Sequence, residues 1–447
     1  MNLPKKFLEK IKSFPDGVGE AYLRLFPERP FSGYRVNTLK ASADLVTGAL
    51  GGQAVPFCEN GFYLEDGRPG LGNHPLHHAG AFYIQEPSAM SAVTMLSPRP
   101  GERVLDLCAA PGGKSTQIAA ALRGEGVLLS NEFVASRARV LLSNIERMGV
   151  PNAVVTSLHP DTLCEAAAGL FDKVLVDAPC SGEGMFRKEP AAIQNWSEEN
   201  VRTCALRQGK ILDSAARAVR PGGRLCYSTC TFSPEEDEGV VAAFLERHPD
   251  FHLIDSGETF GLPGFPAFGG GREDMRLCRR IFPAQGGEGH FAALLQRDGE
   301  GEAAGGCLLP SDPPPAVFAD FWADCFCDPL PPVRVEGDRV FIPAPLPLPP
   351  GIRMLRHGLL VGELAKNRFE PAHALFMCGR YKPRRVLSLH AKEESARRFL
   401  HGEQIEAAGL SAGFAGVQID GVPCGFGKVV DGLLKNRYPK GLRLLQV

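Results

Sequence analysis

The sequence predicts an α/β chain built on a Rossmann-like, doubly wound sheet, with an α+β region before it and a β-rich module after it. Three observations carry this. From Gly101 to about Gly239, apolar runs of strand length alternate with helical stretches, the pattern of a parallel sheet covered on both faces. A glycine turn, Pro111-Gly112-Gly113, stands between the first of these strands and its helix. At 447 residues the chain exceeds what one hydrophobic core ordinarily serves, so further domains are expected on either side.

The first ~95 residues mix two periodicities. Phe7 to Leu25 has apolar residues at roughly helical spacing, whereas Tyr34 to Leu39 alternates like a strand. In the central region the strand candidates are Val104–Leu107, Val127–Leu129, Val154–Thr156, Val174–Val176 and Arg224–Tyr227. Helices are expected over Thr116–Leu122, Ser136–Met148 and Val201–Val219. A further helix is signed by Ser233 as N-cap, Pro234 at the first position and Glu235 and Glu236 in the first turn. Gly261–Gly271 reads as a long loop, and Asp298–Pro315 and Pro343–Pro350 read as linkers, the second stiffer. Gly351–Val447 forms a C-terminal module in which Phe414–Lys428 and Leu433–Leu445 look like short strands with tight glycine turns. The expected division is thus 1–95, 96–298, 299–375 and 376–447.

Composition narrows the class. With 44% hydrophobic and 22% charged residues the chain is ordinary for a soluble globular protein. Its net charge of -2 means that any nucleic-acid surface must be a local patch. The 13 cysteines are odd in number and include no C-x-x-C pair, which argues against a disulfide framework or a zinc ribbon and for a reducing compartment. Met1 to Phe14 carries lysines but no apolar core of a signal peptide, and no run approaches the ~18 apolar residues of a membrane span. The cytoplasm is the expected compartment.

The turn Cys108-Ala109-Ala110-Pro111-Gly112-Gly113-Lys114 follows the first strand and opens a helix. Such a turn brings backbone close to a ligand and aims free helix N–H groups at it. Glu132, twenty residues after Gly112 and at the end of the next strand, stands where a carboxylate accepts hydrogen bonds from ribose hydroxyls. A nucleoside ligand follows, but three readings stay open. NAD is disfavoured because G-x-G-x-x-G is absent. ATP is suggested by Gly113-Lys114-Ser115, the tail of a P-loop, although the first required glycine falls on Cys108. A glycine turn with no ligand is the plain alternative.

Two cysteines lie in strand-end loops, Cys180 in Asp177-Ala178-Pro179-Cys180 and Cys230 in Tyr227-Ser228-Thr229-Cys230. Both loops follow parallel strands, so the two thiols and Asp177 converge on the same sheet edge as the glycine turn. Any single cysteine is ordinarily a buried small hydrophobe, the reading for Cys164, Cys204, Cys226 and Cys278. A redox pair or a metal site made from Cys180 and Cys230 lacks a third or fourth ligand at useful spacing, so no metal is expected.

Taken together, Leu105–Gln117, Phe171–Lys188 and Leu225–Glu238 resemble the Sun/Fmu-type family of RNA cytosine-5 methyltransferases, and the details resemble its bacterial RsmF-type branch. Arg35–Lys40, Tyr83–Met90 and Gly287–Leu294 fit as well. The resemblance implies S-adenosylmethionine as cofactor, held by Cys108, Ala109, Ala110, Pro111, Gly112, Gly113, Lys114, Glu132 and Asp177. Asp161 is the nearest candidate for an aspartate at the adenine end, although Ser157-Leu158-His159-Pro160 departs from the family pattern. It further implies that Cys230 attacks carbon 6 of cytosine and that Cys180 assists proton removal and release. The chemistry suits these residues: carbon 5 is a poor nucleophile until a thiolate adds to carbon 6, and Asp177 can bind the amino edge of the base.

The C-terminal segments Gly358–Leu375 and Gly425–Arg443 are similar to the appended parts of this branch, the latter to a PUA-like RNA-binding domain. Arg380 to Val447 holds twelve Lys/Arg against six Asp/Glu, with Tyr381, Phe414, Phe426 and Tyr438 interleaved. Cations can contact phosphates and aromatics can stack on unpaired bases; a solvated face around a small core is the alternative. The candidate RNA contacts are Arg35 and Lys188 upstream, then Arg380, Lys382 and Arg384, and finally Lys435, Arg437 and Lys440. By resemblance the partner is 16S ribosomal RNA, free or in the 30S subunit, with no membrane, and the chain is expected to act as a monomer. A nucleotide-dependent ATPase and a non-catalytic RNA-binding factor remain as rival functions.

Overall fold

The computed structural model describes residues 3–64, 70–303, 305, 310–349 and 351–444. The expected linker at Asp298–Pro315, Pro350 and the end of the strand expected over Leu433–Leu445 lie partly outside the described residues. A central sheet of ten strands organises the molecule.

Three small strands come first: β1 (Gly33–Val36), β2 (Gly61–Tyr63) and β3 (Phe82–Ile84) form an antiparallel sheet with β1 in the middle. Then come β4 (Arg103–Asp106), β5 (Val127–Asn131), β6 (Ala153–Thr156), β7 (Phe171–Asp177) and β8 (Val219–Thr229). These five pair in parallel in the order β6-β5-β4-β7-β8. β12 (His290–Arg297) lies antiparallel on β8. β9 (Phe251–Leu253), β11 (Arg279–Ile281) and β10 (Leu262–Pro263) complete that side.

Strand alternation explains why the apolar runs are continuous. Val104, Leu128, Leu175 and Cys226 pack into one buried cluster, and Leu105, Leu129, Val174 and Leu225 into another. Successive side chains point to opposite faces, and here both faces are covered, so neither can be polar. The order of the strands reverses between β4 and β7, where connections leave in opposite directions and open a crevice beyond the carboxyl ends.

The expected elements recur with shifted ends, and several expectations are corrected. The segment Phe7 to Leu25 is two helices, Lys5–Lys12 and Val18–Leu25, broken around Asp16, which adopts a positive φ of 57°. The helix expected to start at Ser233 begins at Glu238. Ser233 to Asp237 forms a turn that folds Glu236 and Asp237 inward. The Gly261–Gly271 loop contains β10 and a 3-10 turn over Pro266–Gly269. Pro343–Pro350 is no free linker: Ala344, Leu346 and Leu348 are buried against the central core, and Met354–His357 then pairs antiparallel with β6 at the sheet's edge. Alternation of apolar residues with prolines reads as a spacer in sequence, yet it is also what an extended buried strap requires.

The remainder is two small sheets. One has four antiparallel strands (Arg334–Glu336, Arg339–Ile342, Leu359–Ala365, Arg368–Pro371). The other has five, with Gly413–Ile419 and Val422–Val430 at its centre. Its core is continuous with that of the N-terminal sheet, since Tyr34, Phe82, Phe399 and Val417 belong to one cluster. Among the described residues no helix is long and apolar enough to cross a membrane.

Candidate active site

Four loops meet at the carboxyl edge of the central sheet. The first leaves β4: Gly112, at φ +116°, takes a backbone conformation that a side chain would strain. The helix Gly113–Leu122 starts immediately after it. Ala109 N–H donates to the Asn131 carbonyl (2.8 Å), locking this turn to the end of β5. The loops after β5, β7 and β8 supply Glu132, Cys180 and Cys230. All three, with Cys108 and Asp177, line a single cavity of about 960 Å³, a size suited to a small-molecule ligand with room beside it.

Glu132 is 5% exposed. One of its oxygens accepts from the Val134 N–H (2.9 Å), and the other stands 3.4 Å from Arg137. Beside it Phe133 is 60% exposed and lines the cavity wall, an apolar surface of the kind a purine ring covers. Asp106, beneath the turn, has one oxygen bonded by Ser115 (2.7 Å) and the other buried without a partner. Burial, reinforced by the nearby Asp177 charge, raises its pKa to about 7. A carboxylate at the ribose position, an exposed aromatic wall and an orphaned acidic oxygen below a glycine turn fit a cationic nucleoside such as S-adenosylmethionine.

The turn residues divide between wall and support. Cys108, Ala110, Glu132, Asp161 and Asp177 line the cavity. Ala109, Pro111, Gly112 and Gly113 are not among its lining and shape the turn. Lys114 is 9% exposed, and its ammonium stands 2.8 Å from Asp177. Burial opposes this charge, but Asp177 outweighs it, and the Lys114 pKa is raised. Burial likewise opposes the Asp177 carboxylate, which the Lys114 ammonium and the Ser228 hydroxyl nevertheless hold below its usual value. The ammonium is therefore committed to Asp177, which weakens the P-loop reading. Asp161 reaches the cavity wall but forms an ion pair with Arg217.

The two thiols face each other, with Cys180 Sγ and Cys230 Sγ 3.4 Å apart. Both are partly exposed. Several bonds enforce this approach. Gly184 N–H donates to the Cys230 carbonyl (2.9 Å), and Ser181 and Thr231 hydroxyls bond at 2.8 Å. Glu236 accepts from the Ser181 N–H (2.9 Å) and from Gln208 (2.8 Å). The hydrogen bond to Cys230, followed by burial, pushes the Cys180 thiol well above its usual pKa.

Sequence reasoning missed three supports. Glu236 ties the cysteine loops together. Glu183 is fully buried and bonds Lys10 of the first helix and the Trp196 indole. His290, the first residue of β12, is 2% exposed with both ring nitrogens unpartnered and Nε2 3.9 Å from Asp177. Burial, then the Lys114 charge, lowers its pKa to about 3. The folded ring refuses a proton that the unfolded chain accepts near pH 6.5, so its contribution to stability is full above that pH and is lost as pH falls toward 3. His290→Gln is expected to lose less thermal stability than the parent between pH 7 and pH 5 in calorimetric scans; an unchanged pH slope would refute this assignment.

The proposed RNA contacts fare unequally. Arg35 is 1% exposed and bonds Gln85, the Gly113 carbonyl and Thr116. It is not available to a phosphate, because its buried guanidinium fastens the N-terminal sheet to the helix Gly113–Leu122. Lys188 donates to the Phe31 carbonyl (3.0 Å) and is half-buried. Arg380, Lys382, Arg384, Lys435, Arg437 and Lys440 are exposed. Of the aromatics, Phe426 and Tyr438 are buried; Tyr438 packs edge-on against His373 and Phe399, so neither offers a stacking face.

A Rossmann-like sheet with this glycine turn and acidic ribose position is the architecture of the S-adenosylmethionine-dependent methyltransferase class. Residues 93–296 match the model of the 16S rRNA methyltransferase RsmB/F family, and residues 3–87, 320–378 and 386–444 match the N-terminal, first C-terminal and PUA domain models of RsmF. The chain belongs to this RsmB/F family. A ribosomal RNA small subunit methyltransferase F of Escherichia coli O139:H28 is 46% identical over 238 residues, 51% of this chain and 50% of that protein. The one from Shigella boydii serotype 18 is similar to the same extent. The matched stretch spans about half the length of these curated relatives. Among solved structures, a methyltransferase homologue from Pyrococcus horikoshii is 29% identical with a TM-score of 0.56, over 66% of this chain and 100% of that one. NSun6 from Pyrococcus horikoshii with SFG, at 22% identity and a TM-score of 0.59 over 66% of this chain and 99% of that one, shares the fold.

Proposed function

We propose that this chain methylates carbon 5 of cytosine in 16S ribosomal RNA through a covalent bond between Cys230 and carbon 6 of the base. The observation that carries this reading is the 3.4 Å approach of the Cys180 and Cys230 sulfurs on a cavity that also holds Glu132. S-adenosylmethionine, when bound, supplies a methyl group on a cationic sulfur. Cys108, Ala110 and Glu132 would hold it, with Asp161 at the far wall.

Cys230 adds as thiolate to carbon 6, and the electron pair of the 5,6 double bond becomes available at carbon 5 for the methyl group. Asp177, kept ionised beside Lys114, accepts a hydrogen bond from the amino edge of the base. Cys180 assists removal of the carbon-5 proton. That proton's bonding electrons restore the double bond, and the carbon–sulfur bond breaks to return the Cys230 thiolate.

In this reading residues 96–298 carry the chemistry. Residues 1–95, fastened to that domain by contacts such as Lys10 with Glu183, position the RNA. Residues 299–375 form a linker and a small subdomain, and the exposed cations of 376–447 touch the RNA. The protein would work as a monomer in the cytoplasm, on free 16S rRNA or the 30S particle. The test is transfer of labelled methyl from S-adenosylmethionine to 16S rRNA, followed by nucleoside analysis. Label in 5-methylcytidine is expected. Label in another nucleoside, or ATP hydrolysis without methyl transfer, would overturn the proposal.

A further inference from the structure

The helix Glu198–Ala218 runs along one rim of the cavity and is fixed there from within. Gln208 points inward and donates to the Pro179 carbonyl (3.1 Å) as well as to Glu236. Its outward face is different in kind. Between Val201 and Lys210 the exposed positions are Arg202, Thr203, Leu206, Arg207 and Lys210, an i, i+4, i+8 stripe with its flank.

No carboxylate lies among them, although a helix face that merely meets solvent commonly alternates charges at this spacing. Among the described residues Arg202, Arg207 and Lys210 have no ion-pair partner. The nearby acid Asp213 is taken by Arg247 and His248, and Arg217 is taken by Asp161. Leu206 is 72% exposed in the midst of these cations, an apolar side chain with nothing to cover it. Arg207 and Lys210 line the same cavity as Cys180 and Cys230, so the stripe runs into the reaction site.

We infer that this stripe is the docking face for the RNA strand that carries the target cytosine. Arg202, Arg207 and Lys210 contact its phosphates, and Leu206 lies against a base beside the one turned out into the cavity. The chain's net charge of -2 gives no general attraction to RNA, so a strand entering this cavity needs a local track of cations. This rests on the RNA-methylation reading above. It adds a contact surface next to the chemistry, apart from the exposed cations of the C-terminal module.

The test uses the full-length protein and a 16S rRNA transcript, with affinity measured across a salt series. Arg207→Ala/Lys210→Ala is expected to bind about tenfold more weakly at low salt. Its log–log salt slope should be shallower by about 1.4, from ~0.7 per phosphate contact on single strands. Arg202→Ala should reduce the slope by about half as much. Binding of S-adenosylmethionine by calorimetry should be unchanged in Arg202→Ala, which lies outside the cavity lining, and the unfolding temperature should be unchanged in both variants, which separates a lost contact from a lost fold. Leu206→Gln should leave the slope alone and slow methyl transfer to a cytosine in a paired stem more than to an unpaired one. Unchanged RNA affinity and slope in the double variant would overturn the inference. So would weaker binding to the assembled 30S particle alone, which would assign the face to a ribosomal protein. A parent protein that docks RNA through this face but transfers no methyl group would end the methylation reading and leave the docking face standing.

Discussion

Replacing Cys230 with alanine is expected to lower methyl transfer to RNA by roughly four orders of magnitude or more, since removing a covalent nucleophile abolishes the step that activates the substrate. The substitution removes one partly exposed sulfur from a loop held by other bonds: Ser181 to Thr231, Glu236 to Ser181, and the Gly184 N–H on the backbone carbonyl of residue 230 itself. None of these needs the thiol, so the fold and the Glu132 side of the cavity should persist. S-adenosylmethionine binding is therefore expected to survive while transfer of labelled methyl disappears. Full activity in this variant would mean that the nucleophile lies elsewhere.

Cys180→Ala is expected to fail differently. The bond from Cys230 to the base still forms, but the group 3.4 Å away that assists proton removal is gone. The adduct should accumulate as a protein–RNA species that survives a denaturing gel, appears only with S-adenosylmethionine present, and is absent in Cys180→Ala/Cys230→Ala. Turnover should fall by roughly two to four orders of magnitude, the usual worth of an acid–base group. Normal turnover with no accumulated adduct would remove Cys180 from the mechanism.

Much of this site is legible from sequence because it is built from local features. An apolar run ending in a glycine turn places Cys108 to Lys114 at a strand's carboxyl end whatever surrounds it. The two cysteine loops follow strands of the same parallel sheet, so both must open on the same edge. What escapes are the residues whose role is set by register and distant packing. His290 reaches Asp177 only because β12 lies antiparallel on β8, pairing Phe291 with Thr229, and nothing near Gly287–Leu294 announces that partner. Arg35 looks like a free cation in a strand, yet it is sealed between β1 and the cofactor helix. Glu236 carries the pattern of a helix's first turn, but burial of three successive acids, Glu236 to Glu238, draws the chain inward before the helix can begin. Arg280 pairs with two of them, Asp237 and Glu238. The aromatics of the C-terminal module alternate with cations as a stacking surface would, and they also alternate as a small β-sheet's core must; for Phe426 and Tyr438 the core is the outcome.

The thiol of Cys230 as the atom that bonds the base is the point on which the account stands. A 16S rRNA transcript containing 5-fluorocytidine has no carbon-5 proton to lose, so incubation with the protein and S-adenosylmethionine should trap the adduct. Digestion and mass spectrometry should place the modified nucleotide on the peptide containing Cys230. A nucleotide attached at Cys180, or ready formation of 5-methylcytidine on ordinary RNA with no adduct trapped on the fluorinated one, would contradict it.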